Sequence, residues 1–416
     1  MEPTKLIVLL IFVACYTIAL SRKVKLAYAS IGAALCLLLF GIVKPEDAIL
    51  KAINWNVLGI YWGFMMVSYA FMKSGMPELI ANKFLVKVKT EKYVIFSLCV
   101  FTALISSFME NVATVLIVAP IAIAMAKKLK SSLFPYLVAI AISSNVVTTV
   151  SMIADPPSLI LAMETGMGFL DFYWFQNKPG LGTLTIIGVG IALLSLLLIF
   201  RKFNKKVDVE PEKINVKSAA LLLFAGSIIA LAIAPNFGFS PGIVGLIVGM
   251  LAILIEREHV KEMFKEFDWN SFMFIFGIFI VIFSVNDSGL LKDIASMLVQ
   301  SGLRNPALML AFVIWVSVAL SSFIDNVPFA MLMIPVCTHL ASLSGMSPWP
   351  LLFGMLVGTG IGGNITPIGA TANVFACGIL EKQGYKIKLK EYIKIGLPFS
   401  VVAVAIVHIL LQIFWL

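Results

Sequence analysis

Charge is scarce in this sequence. Only 13% of its 416 residues are Asp, Glu, Lys or Arg, against 60% hydrophobic, and mean hydropathy is +1.02. That balance excludes a water-soluble domain, because so apolar a surface would self-associate. Histidine is scarcer still: His259, His339 and His408 are scattered, so no HExxH-type metal site forms, and no Walker or kinase pattern appears. The chain therefore does not read as an enzyme, and no cofactor is called for. Cys15, Cys36, Cys99, Cys337 and Cys377 lie in or beside apolar stretches without a CxxC pair. They read as small hydrophobes and supply neither a disulfide framework nor a fixed metal site. Arginine is limited to Arg22, Arg201, Arg257 and Arg304, all between apolar segments. A tight site for a multivalent anion is thereby disfavoured.

What is present is a series of apolar runs of about 15–20 residues separated by short polar loops, the pattern of a multi-pass helical protein of the cell membrane. The lipid bilayer is thus its first partner. The net charge of +9 comes from Lys and Arg between the runs, with no basic domain of its own. It fits positive-inside loops and excludes nucleic acid as a partner. Residues 6–20 are preceded only by Lys5 and followed by "SRKVK", with no small-residue cleavage site, so they read as a retained first helix.

Loop charge sets an expected topology. The lysine-bearing stretches 21–25, 73–92, 201–217 and 381–394 are expected in the cytoplasm; 164–178, 234–241 and 341–350 outside, with both termini external. Spans at 6–20, 26–43 and 57–72 alternate cleanly between these loops. Two arms at 93–109 and 112–126 do not, because basic loops flank both ends and only "EN" separates them. Two full crossings with an outer turn, or a re-entrant hairpin with its tip at mid-membrane, give the same flanking sides. Spans at 135–161 and 181–200 follow. The second half repeats the order: 219–234, 243–255, 271–285, arms at 308–324 and 327–339, then 349–379 and 395–416.

The repeat is explicit. "SSFMENVATVLIVAP" at 106–120 aligns without gaps to "SSFIDNVPFAMLMIP" at 321–335, with six identities in fifteen and Glu110 opposite Asp325. At the same offset, within one residue, "NWN" at 54–56 meets "DWN" at 268–270, and "SMIADPPS" at 151–158 lies opposite "TPIGATAN" at 366–373. The chain thus reads as residues 5–200, a cytoplasmic linker at 201–217 and residues 218–416. Each unit has five full spans, an odd number, so the second copy is inverted. The expected fold is all-α integral membrane: two inverted-topology repeats, about ten transmembrane helices, two re-entrant hairpins and two broken helices. Inverted repeats with polar breaks at matched positions mark secondary transporters.

The polar residues at membrane depth carry the expected site. A carboxylate at the bilayer centre costs about 2.5–3.5 kcal/mol. Glu110 and Asp325 also stand where a helix cap would, but capping does not require acid and amide together in both copies. Pro156 and Pro157 after Asp155, and the glycines with Pro367 at 358–373, cannot continue a helix. Unwound backbone at that depth lines a cavity or is buried in protein. Glu110, Asn111, Asn145, Ser151, Asp155 and Ser158 in one half, with Asp325, Asn326, Asn364, Thr366, Thr371 and Asn373 in the other, are the candidate substrate and ion ligands. Helix N-termini there suit an anion, while freed carbonyls, amides and carboxylates suit Na⁺ or H⁺ as coupling ion.

At these residues the sequence resembles the ion transporter superfamily, with its arsenical-pump, melanosomal P-protein-like, citrate-transporter-like and sodium/proton-antiporter branches. "SSFMENVATVLIVAP", "SSFIDNVPFAMLMIP", "IADPPS" and "GGNITPIGATANV" are similar to its hairpin tips and broken-helix loops. P-protein-like members are the nearest branch, through "DNVP" and "DPP". The resemblance implies contacts from Asn111, Asn326, Ser151, Thr366, Asp155 and Asn373, with Na⁺ near Asn111, Asp155, Asn326 and Asn373. It also implies a homodimer with an elevator-type moving domain and, for an arsenical pump, a cytoplasmic ATPase partner. Val147–Thr148 replaces the family's Gly-Gly, Ala154 its Gly and Ser158 its Asn, so the first-half site is expected to be tighter or differently ligated. The expected function is secondary transport of a small anion or oxyanion, arsenite-type or a small carboxylate, coupled to H⁺ or Na⁺. Sodium/proton antiport is the alternative and an uncoupled channel the second.

Overall fold

The computed structural model describes residues 3–21, 23–208, 213–300 and 305–416. Arg22, Arg304 and residues 209–212 of the linker lie outside the described residues. The first half runs α1 (Pro3–Ser21), α2 (Leu26–Leu39), α3 (Pro45–Asp47), α4 (Trp55–Lys73), α5 (Met76–Leu85), α6 (Glu91–Ser106), α7 (Asn111–Lys128), α8 (Leu133–Asn145), α9 (Pro156–Thr165) and α10 (Leu181–Ile199). The second runs α11 (Ser218–Ile233), α12 (Pro241–Ile255), α13 (Val260–Glu266), α14 (Trp269–Asp287), α15 (Leu290–Gln300), α16 (Pro306–Ser321), α17 (Asn326–Ser344), α18 (Trp349–Gly362), α19 (Thr371–Lys382) and α20 (Leu389–Trp415). The strands are a two-residue pair, Trp174–Phe175 with Lys178–Pro179, turned by Gln176 and Asn177 at φ 50° and 61°.

Local chemistry explains many boundaries. Asn54, Asp268, Ser240 and Asn305 cap α4, α14, α12 and α16 by accepting backbone N–H bonds. Gly166 and Gly345 end α9 and α17 in the left-handed conformation. Leu39, Leu198, Leu222, Leu254 and Ile413 remain exposed on the outer surface, as suits helices facing lipid tails.

The helices pack as two bundles. The frame bundle joins α1, α2, α4, α11, α12 and α14, and each half lends its helices to the other: α4 packs on α12, and α14 on α2. The α4–α12 contact is a seam of glycines. A Cβ on Gly63 would stand 1.8 Å from the Gly245 carbonyl oxygen, and one on Gly249 2.8 Å from the Gly63 Cα. Small residues let these backbones touch, the usual means of packing helices in lipid. Gly63→Val is expected to lower the melting temperature and monodisperse yield in detergent, since overpacking costs about 1–3 kcal/mol or more. Gly226→Val should leave both unchanged, because nothing lies within 4 Å of its Cβ position; equal losses in the two variants would reject the seam as the cause.

The core bundle joins α6–α10 with α16–α20. Its hairpins are re-entrant. Glu91, at the start of α6, donates its N–H to the Lys205 carbonyl, and Lys128, at the end of α7, donates to the Asp208 carbonyl. Both outer ends therefore meet the linker on one face. The first arms, α6 and α16, hold 16 residues each, about 24 Å at ~1.5 Å per residue, short of the ~30 Å hydrocarbon core. Although α7 and α17 are long enough by themselves to span, their N-termini are buried at the tips.

The lysine-bearing loops gather on the linker's face. Lys217 N–H bonds the Ser74 carbonyl, Lys217 pairs with Glu256, Lys73 with Glu262, and Lys205 Nζ binds the carbonyls of Leu129 and Lys130. On the opposite face Asn54 meets Glu164, His339 meets Asn286, and Trp415 donates to the Pro179 carbonyl. Helix α5 occupies a stretch that loop charge had marked as polar connection, and α13 and α15 fill gaps between the expected spans.

Candidate ion and substrate site

The repeated phrase builds the same hydrogen bonds twice. Ser106 Oγ donates to Asn111 Oδ1 at 2.8 Å, and Ser321 Oγ to Asn326 Oδ1 at 2.8 Å. Ser151 donates to the Ser107 carbonyl, and Thr366 to the Ser322 carbonyl. Ser158 Oγ reaches the Thr148 carbonyl at 2.6 Å, and its counterpart Asn373 reaches the Gly363 carbonyl at 2.9 Å. Each hairpin tip is thus stitched to the unwound segment of its own half. Glu110 accepts the Ala113 N–H at 2.9 Å and Asp325 the Val327 N–H at 3.2 Å, so both do cap their helices.

Polar contacts also join the halves. Asn111 Nδ2 donates to Asn145 Oδ1 at 3.3 Å; Asn145 Nδ2 donates to Asn364 Oδ1 at 3.2 Å and to the Gly360 carbonyl at 2.8 Å. Asn364 Nδ2 returns to the Ile142 carbonyl at 3.0 Å. Four helices, α7, α9, α17 and α19, start in this region, and four, α6, α8, α16 and α18, end there. Free N–H groups and free carbonyls are therefore both supplied there.

Burial divides the candidate residues. Asn111, Asn145, Ser151, Ser158, Asn326, Asn364, Thr366 and Asn373 are buried, whereas Glu110, Asp155 and Asp325 are half-buried and Thr371 is exposed on a cavity wall. Glu110 and Asp155 share the lining of one small cavity, and Asp155 lies within electrostatic reach of both Glu110 and Asp325. None of the buried polar residues described is Lys or Arg. Among the buried side-chain oxygens without a hydrogen-bond partner are Thr148 Oγ1, Asp155 Oδ2 and Asn373 Oδ1 at the helix breaks, with Ser143 and Ser317 on the helices beside them. Because Asn373 Nδ2 is held by two carbonyls, of Gly363 and Thr366, its Oδ1 orientation is fixed. Carboxylate and amide oxygens accept only, so they call for a cation or an N–H or O–H donor.

One first-half residue packs closely against the second half. A Cβ on Gly360 would lie 2.1 Å from Thr148 Oγ1, so this threonine fills the space against α18. Sequence reasoning passed over Ser106 and Ser321, although they belong to the quoted phrase. It also passed over Asp268 and Tyr61, which reach Glu110's surroundings from the frame bundle. Such pairings are long-range and leave no local signal.

Inverted hairpins, broken helices and a set of unpartnered polar oxygens inside a lipid-facing bundle define a membrane transporter. The chain belongs to the citrate transporter family, whose model matches residues 12–358. An uncharacterized transporter of Mycobacterium bovis is 25% identical over 425 residues, covering 96% of each chain. The P protein of Mus musculus is 24% identical over 469 residues, covering 91% of this chain and 56% of that protein. The crystal structure of the Alcanivorax borkumensis YdaH transporter superposes with a TM-score of 0.55 over 99% of this chain and 98% of that one, at 14% identity, so the likeness is one of fold.

Proposed function

We propose that the chain is a secondary active transporter that moves a small anion or oxyanion together with H⁺ or Na⁺. The observation that carries this reading is the pair of acceptor-only oxygens, Asp155 Oδ2 and Asn373 Oδ1, left without partners beside helix N-termini. A cation satisfies the oxygens, and the N–H groups and hydroxyls around it hold an anion of low charge. Glu110 and Asp325 are the coupling carboxylates, and Asn111, Asn145, Ser151, Ser158, Asn326, Asn364, Thr366 and Thr371 complete the site. Transport proceeds by movement of the core bundle past the frame bundle, within a homodimer. The repeats are residues 5–200 and 218–416, and the linker's face is cytoplasmic. Sodium/proton antiport is a second reading, favoured by Asp155 lying within electrostatic reach of Glu110 and Asp325 with no Lys or Arg among the buried polar residues described.

Proteoliposomes with imposed Na⁺ and pH gradients and a panel of small anions test the function. Saturable accumulation with countertransport is expected; unsaturable flux that ignores both gradients would make the protein a channel. Proton movement driven by Na⁺ without any anion would select antiport. A Na⁺ site at Asn373 should also raise the melting temperature of wild type with added NaCl, compared with choline chloride. At a hundredfold excess over Kd the stabilisation is about 2.7 kcal/mol. Asn373→Ala should lose the increment; an equal Na⁺ effect in that variant would remove Asn373 from the cation site.

A further inference from the structure

Two cavities open beside the hairpin tips. One, of about 730 Å³, is lined by Tyr69, Lys73, Glu78, Glu266 and Glu110 among others; the second, of about 300 Å³, by Lys25, Asn270 and Asp325. They share two lining residues, Asp268 of the frame bundle and Thr371 of the core bundle. Asp268 caps α14 through the Ser271 N–H at 3.0 Å and also binds the Ser271 hydroxyl. It is half-buried and within electrostatic reach of Glu110.

The repeat makes this position unequal on the two faces. Asp268 answers Asn54, whose amide nitrogen binds Glu164 at 3.3 Å and so ties the frame bundle to the end of α9. The matching cavity on that face, about 480 Å³, is lined by Lys51, Glu164, Asn286 and His339 and reaches none of the tip acids. The two cavities that reach Asp325 and Glu110 lie on the lysine-bearing face, and Asp268 lines both.

We propose that Asp268 is the entry carboxylate for the coupling cation, passing H⁺ or Na⁺ from the lysine-bearing face to Glu110 through one cavity and to Asp325 through the other. The inference rests on the reading of Glu110 and Asp325 as the coupling pair. A negative charge at a cavity wall concentrates cations and speeds their arrival, here beside Glu110 in the larger cavity and Asp325 in the smaller. Asp268 acts through the tips and is a positioning residue, so its loss slows delivery while leaving the site's equilibrium affinity intact. Asn54, with no negative charge of its own, supplies no such step on the other face.

Asp268→Asn keeps an acceptor for the Ser271 cap, and Asp268→Glu keeps the charge. The probes are radiolabelled Na⁺, for equilibrium binding to purified protein and for exchange across proteoliposomes, and a trapped pH dye after a pH jump. In Asp268→Asn, exchange of whichever cation the wild type moves is expected to fall about tenfold or more. Equilibrium binding should stay within twofold and Asp268→Glu should restore the rate. Wild-type exchange in Asp268→Asn while Glu110→Gln is impaired would overturn the entry role and leave the coupling pair standing. Binding lost together with exchange would also overturn it, making Asp268 a direct ligand. Full exchange in both Asp268→Asn and Glu110→Gln would remove the coupling pair as well.

Discussion

Glu110→Gln combined with Asp325→Asn is expected to abolish gradient-driven accumulation in proteoliposomes while leaving a folded, monodisperse protein. The side chains keep their shape and still offer an oxygen to the Ala113 and Val327 N–H groups, so both helix caps survive. What they lose is the ability to exchange a proton for another cation. Removing two ionisable groups from membrane depth also removes an insertion cost of about 2.5–3.5 kcal/mol each, so thermal stability should hold or rise. Passive exchange of cargo can persist, because the amides and hydroxyls remain. Wild-type accumulation against a gradient in the double variant would return both residues to the role of caps.

Asn145→Ala is expected to have the largest effect on stability among the site residues. Its amide joins three groups: Asn111 Nδ2, Asn364 Oδ1 and the Gly360 carbonyl, two of them across the repeat boundary. Alanine leaves the amide groups of Asn111 and Asn364 short of partners in a region with little water, at about 1–3 kcal/mol for each unsatisfied group. A clear fall in melting temperature in detergent, with loss of transport, is the expected result. Ser158→Ala, which removes a single bond to the Thr148 carbonyl, should cost far less. Equal melting temperatures for wild type and Asn145→Ala would mean that this junction does not hold the halves together.

The inverted architecture was legible because each half must write its own hairpin tip and helix break. The phrases around Glu110 and Asp325, and around Pro156 and Pro367, appear twice for that reason. The buried, hydrogen-bonded amides were legible too, since Asn and Ser in an apolar run have few uses other than hydrogen bonding. Helices α5 and α15 were not, because Lys83 and Asp293 interrupt runs too short to span and only one face is apolar. Nor was the division of labour within the site. Asp268 looked like one half of a repeated "DWN"/"NWN" marker, and its meeting with Glu110 depends on how two bundles pack. The glycine seam was likewise invisible as a contact, although Gly63 and Gly245 are plain in the sequence, because periodicity does not say which helix faces which.

The hairpin tips are the centre of this account, and sidedness of labelling reaches them most directly. In a protein freed of its native cysteines, a cysteine is placed at Glu110 and, in a second variant, at Lys206 in the exposed linker. A membrane-impermeant thiol reagent is applied to vesicles of each orientation. Glu110→Cys is expected to react from the same side as Lys206→Cys, through the 730 Å³ cavity, and not from the other. Reaction of Glu110→Cys from the side opposite Lys206→Cys would make α6 and α7 two full crossings with Glu110 in their outer turn, and would contradict the re-entrant hairpin on which the site depends.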